Sequence, residues 1–246
     1  MIDPQAERFP QLRPLGMDGF LVRFDSVFTE GANRAARAFG EEARETPGVT
    51  EILPALASVQ VRFDREVCAR PDIAEVLEDL IASRDWLALP EEPATRIWHV
   101  PVSFDGADGV GLGRACEQTG LSQEQAVQQI LDARPRVIAI GFAPGQPYLG
   151  LLPMEWDFPR QTELTKEVPP GALTVAIRQL VLFANPSPTG WLQIARTAFR
   201  PFQPEAEDPM PLRAGDMFRF HRISLSEREA LTREGGSAGG RLEVLS

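Results

Sequence analysis

The amino-acid sequence predicts an α+β chain, richer in strand than in helix, built as two domains and a tail. Three observations lead there. Residues 10–92 carry periodicities in the order strand, helix, strand, strand, helix. A polar, proline-bearing stretch, Leu89-Pro90-Glu91-Glu92-Pro93-Ala94, then interrupts the pattern. The residues beyond it hold many short apolar runs broken by Pro and Gly. The first order is most of a ferredoxin-like split βαβ domain, and the second reads as a closed or sandwiched β architecture. The domains are placed at 10–92 and 96–225, with 226–246 as a flexible linker and tail.

Gly19 to Phe24 opens as a strand. Thr29 is a candidate N-cap for a helix whose small face is Ala32, Ala35, Ala36 and Phe39, and Pro47-Gly48 stops it. Two strands follow, Val49 to Leu53 and Ser58 to Phe63, the second alternating Val59, Val61 and Phe63 on one face. From Pro71, Ile73, Val76, Leu77, Leu80 and Ile81 fall at helical spacing. Beyond the break, Ile97 to Val102 reads as a strand and Gly111 to Gln118 as a short helix. Ser122-Gln123-Glu124-Gln125 is a capping box that turns Ala126, Val127, Ile130 and Leu131 inward. Short runs at Leu173 to Ile177, Leu180 to Ala184 and Leu192 to Ala195 complete the strand candidates, and Arg233 to Gly240, with four glycines, reads as linker.

Composition narrows the function classes. The formal charge is -10 and Lys166 is the single lysine, so phosphate counterion release offers nothing and nucleic acid is not an expected partner. Cys68 and Cys116 are too few and too far apart for a disulfide framework or a zinc knuckle, which fits a reducing, cytoplasmic setting. The segment Met1 to Arg8 lacks the basic and apolar regions of a signal peptide. No run approaches the roughly 20 apolar residues of a membrane span. His99 and His221 stand at strand-like positions without a second ligand at short spacing, so metal and triad chemistry are not expected; His99 is the better placed of the two to enter a pocket.

The richest segment is Gly141-Phe142-Ala143-Pro144-Gly145-Gln146-Pro147-Tyr148-Leu149-Gly150, directly after Val137-Ile138-Ala139-Ile140. Its glycines and prolines preclude regular structure and require a shaped loop around which Phe142 and Tyr148 can pack. It lacks the lysine and hydroxyl of a phosphate-binding loop and the spacing of a dinucleotide loop. Read alone it is either a tight corner or a binding loop. Ser187-Pro188-Thr189-Gly190-Trp191 and Arg196-Thr197 form a second constellation. In it a glycine permits close approach, Ser187 offers a hydroxyl, and Arg196 can pair bidentately with a carboxylate.

These segments, with Val168-Pro169-Pro170-Gly171 and Gly215-Asp216, resemble the family that includes the B-type 5-oxoprolinase subunit, allophanate hydrolase subunit 1, a sporulation-kinase inhibitor, and the first half of the urea-carboxylase-type carboxyltransferase domain. The resemblance sharpens the second domain to a cyclophilin-like β-barrel. It implies a subunit of a hydrolase acting on cyclic amide C–N bonds, of the kind that opens 5-oxoproline to glutamate and is inactive alone. ATP would be used by a partner subunit and not bound directly. A paralogous protein, the C-type subunit, would complete the pocket; the terminal Arg241-Leu242-Glu243-Val244-Leu245-Ser246 is similar to that partner's opening strand, which suggests a downstream fusion. The other branch implies a non-catalytic regulatory binding protein. The implied site for a small carboxylate or lactam comprises Gly141, Phe142, Pro144, Gly145, Tyr148, Arg160, Gln179, Ser187, Gly190, Trp191 and Arg196, with Lys166 nearby. No catalytic residue is assigned and no metal is expected.

This chain departs from the family pattern at several places. Ile130 stands where the family has a histidine, Gln146 where it has an aromatic, Thr165 where it has an arginine, and Phe183 where it has a tyrosine. Ile177, Val181, Thr189 and Ala195 replace glycines, so bulk is expected in the cavity and inherited catalysis is weakened.

Overall fold

The computed structural model describes residues 8–91, 93–235 and 238–245. The expectation about Met1 to Glu7 therefore lies outside the described residues. The chain divides into two compact units, 1–93 and 94–246, and both are mixtures of helix and strand.

The first unit contains β1 (Gln11–Leu15), β2 (Gly19–Arg23), α1 (Glu30–Arg44), β3 (Val49–Pro54), β4 (Ser58–Phe63) and α2 (Arg70–Ala82). Its sheet runs β1-β2-β4-β3, every neighbour antiparallel, so β2 and β3 are parallel with β4 inserted between them. This is the strand order of a split βαβ unit. The outer position beside β2 is filled by β1, which precedes it through a hairpin and which the apolar periodicity did not reveal. Thr29 caps α1, its Oγ1 accepting from the Ala32 N–H at 3.1 Å. The alanine face and Phe39 are fully buried against Val59, Val61 and Ile52. A Cβ at Gly40 would meet the Ile52 Cγ2 at 2.8 Å, so this glycine lets helix and sheet approach. Ile73 and Leu77 of α2 enter the same core, whereas Val76, expected inward, is exposed.

The second unit contains β5 (Arg96–Val102), α3 (Leu112–Thr119), α4 (Gln123–Asp132), β6 (Arg136–Ile140), β7 (Pro147–Gly150), β8 (Thr165–Val168), β9 (Ala172–Ala176), β10 (Gln179–Leu182), β11 (Ser187–Thr189), β12 (Leu192–Arg196), β13 (Met217–Arg222), α5 (Leu225–Glu234) and β14 (Arg241–Val244). Eight strands form one sheet in the order β12-β9-β10-β7-β6-β13-β5-β14, and β8 with β11 forms a separate ribbon. One core gathers Val100, Val102, Leu149, Trp156, Leu173, Val175, Leu180, Ile194 and Phe218 with the inward faces of α3 and α4.

Two expectations are corrected here. The sheet is not closed into a barrel. One edge of β5 is taken by β14 along Arg96 to His99, and among the described residues only the bridge between Ser103, just past β5, and Arg196 connects to the far edge strand β12. Nor are residues 226–246 simply linker. Ser224 and Glu227 form a reciprocal capping box that starts α5, and residues 241–244 pair with β5. That S-x-x-E spacing was the signal available in the sequence. The glycine-rich stretch linking the two elements includes residues outside the described set.

Candidate ligand-binding site

The Gly- and Pro-rich segment is the connection between β6 and β7. It closes on itself, with the Gly141 N–H donating to the Gln146 carbonyl at 3.0 Å and the Gln146 N–H to the Ala143 carbonyl at 3.1 Å. Gly145 has a φ of +69°, and a Cβ there would lie 2.4 Å from the Pro201 carbonyl oxygen, so only glycine fits. Gly141 faces open space. Gly145→Ala is expected to destabilise the chain by roughly 1–3 kcal/mol, while Gly141→Ala changes stability little; paired thermal melts check the contrast. Phe142 does not pack as expected. It sits at a φ of +71° with 74% of its surface exposed, projecting from the loop beside the exposed Pro144. Gln146 is buried, and its Oε1 accepts from the Ala184 N–H at 3.4 Å, which ties the loop to the end of β10.

Tyr148 follows the loop on β7 and stands opposite Val181 of β10. Facing residues in a sheet share a side, so Tyr148 joins Val181, Phe183, Ala172, Ala176, Val168 and Trp191 in a small cluster on the side opposite the main core. Its ring meets Trp191 edge to face, with centroids 6.1 Å apart. Burial pushes the phenol pKa up and the nearby Arg160 partly offsets this, so the group is a neutral donor at ordinary pH. Gln179 lies on the same side, two residues before Val181. It is buried, and its side-chain amide makes no hydrogen bond among the described residues. An amide that no other described residue engages and that reaches solvent, beside a phenol and an exposed guanidinium, suits a ligand that carries an amide and a negative charge.

The remaining sequence-chosen residues have structural partners. The buried Ser187 hydroxyl donates to the Asn185 carbonyl at 3.2 Å. Gly190 faces the Gln161 carbonyl, which its Cβ would meet at 3.0 Å, and its own carbonyl accepts from the Gln161 N–H at 2.7 Å. Its close approach is therefore to backbone. Thr189 Oγ1 accepts from the Trp191 backbone N–H at 3.0 Å, which holds the chain between β11 and β12. Lys166 and Thr165 are exposed on β8.

Arg196 does not join Tyr148. It stands opposite Ala172 on β12, whereas Tyr148 is reached by crossing β9 and β10, a separation of three strand spacings or roughly 14 Å. Ile177, expected to fill the cavity, instead occupies the β9–β10 turn with a φ of +44° and is partly exposed. Val181 and Phe183 do add bulk to the Tyr148 face. Ile130 is fully buried in the main core under α4, which removes it from this face.

The two histidines were expected to stand alone and do not. His99 Nδ1 and His221 Nε2 are 2.9 Å apart, and His99 Nε2 is 2.6 Å from Glu243 Oε2. The rings tilt by only 10° with centroids 5.2 Å apart, which together with the short N···N distance describes edge-to-edge alignment and a shared proton. Since the carboxylate must accept, His99 carries a hydrogen on Nε2; with His99 neutral its Nδ1 accepts from His221 Nε2, and with His99 protonated Nδ1 donates to His221 Nε2 instead. The chain of contacts joins β14, β5 and β13. Sequence spacing could not show it, because the partners are 122 and 144 residues apart.

Burial pushes the His221 pKa down, reinforced by positive charge on His99, Arg219, Arg134 and Arg241. A base with a depressed folded pKa binds its proton more readily when unfolded. Its stabilising contribution is thus complete above its ordinary value of 6.5 and is lost as pH falls through the lower folded value. Glu243 is held below its ordinary 4.5 by the hydrogen bond from His99, so its contribution is lost in the same direction at lower pH. Thermal melts from about pH 8 to about pH 5 should show stability falling below the histidine range. The fall should flatten in His221→Gln.

Cys68 and Cys116 are free thiols whose pKa values are raised by burial, and among the described residues no group of three or more His, Cys, Asp or Glu is arranged to hold a metal ion. No helix among them is long and apolar enough to cross a membrane.

A split βαβ unit and an open, mostly antiparallel sheet with an aromatic, amide-bearing face are the architecture that comparisons with known proteins match to carboxyltransferase-type domains. The chain belongs to the family described as carboxyltransferase domain, subdomain C and D, whose model matches residues 10–212. It is 29% identical over 247 residues to the B-type 5-oxoprolinase subunit of Bacillus subtilis (strain 168), covering 91% of this chain and 97% of the relative. The crystal structure of TTHA0988 is similar at a TM-score of 0.70 and 30% identity over 87% of this chain, which spans 40% of that protein's chain. The K. lactis urea amidolyase matches at a TM-score of 0.71 over 94% of this chain and 16% of its own, and at 14% identity that likeness concerns the fold.

Proposed function

We propose that this protein is the B-type component of an ATP-dependent 5-oxoprolinase, or of a related amidohydrolase or carboxyltransferase complex, working in the cytoplasm. Its two units are then a ferredoxin-like domain and an open relative of the cyclophilin-like barrel. A paralogous C-type subunit completes the ligand pocket, a further subunit uses ATP, and the chain alone turns nothing over. The observation that carries this reading is the Gln179 side-chain amide on the Tyr148–Trp191 face, which no other described residue engages and which is open to a ligand. A lactam offers one N–H and one carbonyl to such an amide, the neutral Tyr148 phenol donates to its oxygen, and Arg160 attracts its carboxylate. Similarity to B-type 5-oxoprolinase subunits supports the substrate class.

The test is co-purification of the tagged chain from its native cells, followed by an assay of ATP-dependent conversion of 5-oxoproline to glutamate by the recovered set. Activity that falls about tenfold or more in Tyr148→Ala and Gln179→Ala is expected, as for loss of a hydrogen bond worth roughly 1.5 kcal/mol. A recovered complex containing the C-type partner but lacking turnover of any lactam would reject the enzyme reading. Recovery of a protein kinase instead would favour the regulatory branch.

A further inference from the structure

A second polar locus lies at the other end of the C-terminal sheet. A cleft of about 40 Å³ is lined by Pro170, Gly171, Arg196, Thr197, Arg200 and Thr232, among others, where the end of β12 meets α5. Arg196 is partly buried, and its Nε donates to the Pro170 carbonyl at 3.1 Å. Its two terminal nitrogens make no hydrogen bond or ion pair among the described residues, and neither does the Arg200 guanidinium.

The buried carboxylate in this region is already taken. Asp108 receives both Nε and Nη2 of Arg228 at 3.0 Å, in a fork that occupies both carboxylate oxygens and leaves Arg196 without a hydrogen bond from them. Glu229 is mostly exposed and lies 3.8 Å from Arg228. Burial, followed by the like charges of Arg228 and Arg200, lowers the Arg196 pKa, while Asp108 and Glu229 oppose the shift. The locus therefore holds an excess of positive charge within a protein of net charge -10. Partly desolvated charge without a partner is costly, and a guanidinium cannot relieve the cost by releasing its proton.

We propose that this cleft binds a small oxyanion, a carboxylate or phosphate group, held by the free terminal nitrogens of Arg196 with Arg200 closing over it. One water needs roughly 10–15 Å³ of such space, so about 40 Å³ admits a group of a few heavy atoms, such as one carboxylate or phosphate, and leaves the rest of its carrier outside. The planar fork of a guanidinium matches two oxygens of either group. The site is separated from Tyr148 by three strand spacings along the sheet and does not depend on the lactam reading.

The experiment is calorimetric titration of the full chain with inorganic phosphate and, separately, with acetate, at fixed ionic strength in a chloride background. One saturable site is expected for at least one anion, with the tighter arm identifying the phosphate or carboxylate source. Arg196→Gln should weaken it about tenfold or more, and Arg200→Gln severalfold. Thermal melts verify that the variants fold; should Arg196→Gln fail, Arg196→Lys keeps the charge, loses the fork, and is expected to bind severalfold more weakly. Absence of saturable binding by both anions, or wild-type affinity in the folded Arg196 and Arg200 variants, overturns the proposal.

Discussion

Asp216→Ala is expected to lower the melting temperature by roughly 10 °C, equivalent to about 3–5 kcal/mol for removing one partner of a buried ion pair. The Asp216 carboxylate is buried and accepts four hydrogen bonds. Oδ1 receives Arg96 Nε at 2.7 Å, and Oδ2 receives Trp98 Nε1 at 2.8 Å, the Arg213 N–H at 2.9 Å and Arg96 Nη2 at 3.3 Å. Deletion leaves an indole N–H, a backbone N–H and a guanidinium without their acceptor. It also frees the start of β13, which runs parallel to β5 from Met217 onward. Asp216→Asn keeps the shape but turns an NH₂ toward donors, so an intermediate loss is expected. Denaturant melts of both variants decide the matter, and a loss below about 1 kcal/mol in Asp216→Ala would remove its anchoring role. Gly215-Asp216 entered as part of a family pattern, and the structure gives it the task of tying β13 to β5.

Arg228→Ala is expected to cost a similar amount, about 3–5 kcal/mol. Arg228 is 8% exposed and Asp108 1% exposed, and the pair is bidentate. Truncating the arginine strands a buried carboxylate and loosens α5 from the loop after β5. Replacing both residues together, as in Asp108→Leu with Arg228→Met, removes two desolvated charges at once and should recover most of the loss. The same double change takes a like charge away from Arg196. If the single and double variants are equally unstable, packing rather than charge governs the contact. Hydrogen exchange of the α5 amides is the sharper readout, since local loosening appears there before global unfolding.

Much of the first unit was legible because its information is local. Thr29 caps a helix whose alanines recur at helical spacing, and Val59, Val61 and Phe63 alternate, so caps and periods suffice to place α1 and β4. β1 was missed because Arg13 and Pro14 break its apolar alternation; it exists through pairing with β2. The C-terminal elements were missed for a different reason. α5 is a largely polar helix with one buried side chain, Arg228, so no apolar stripe marks it.

The site divides along the same line. Sequence by itself determined the Gly- and Pro-rich connection and the family to which the chain belongs, because those depend on residue types at short spacing. Gly145 is required by a backbone contact, and its neighbours in sequence already signalled a shaped loop. Only the tertiary structure decided which side of the sheet each residue serves. Strand register put Tyr148 with Trp191 and set Arg196 three strands away. It joined His99 to His221 and Glu243, sent Ile177 to a turn, and left the sheet open by giving one edge of β5 to β14. These are choices between distant strands made by hydrogen-bond pairing and burial, and a one-residue slip would reverse every face without altering any local pattern.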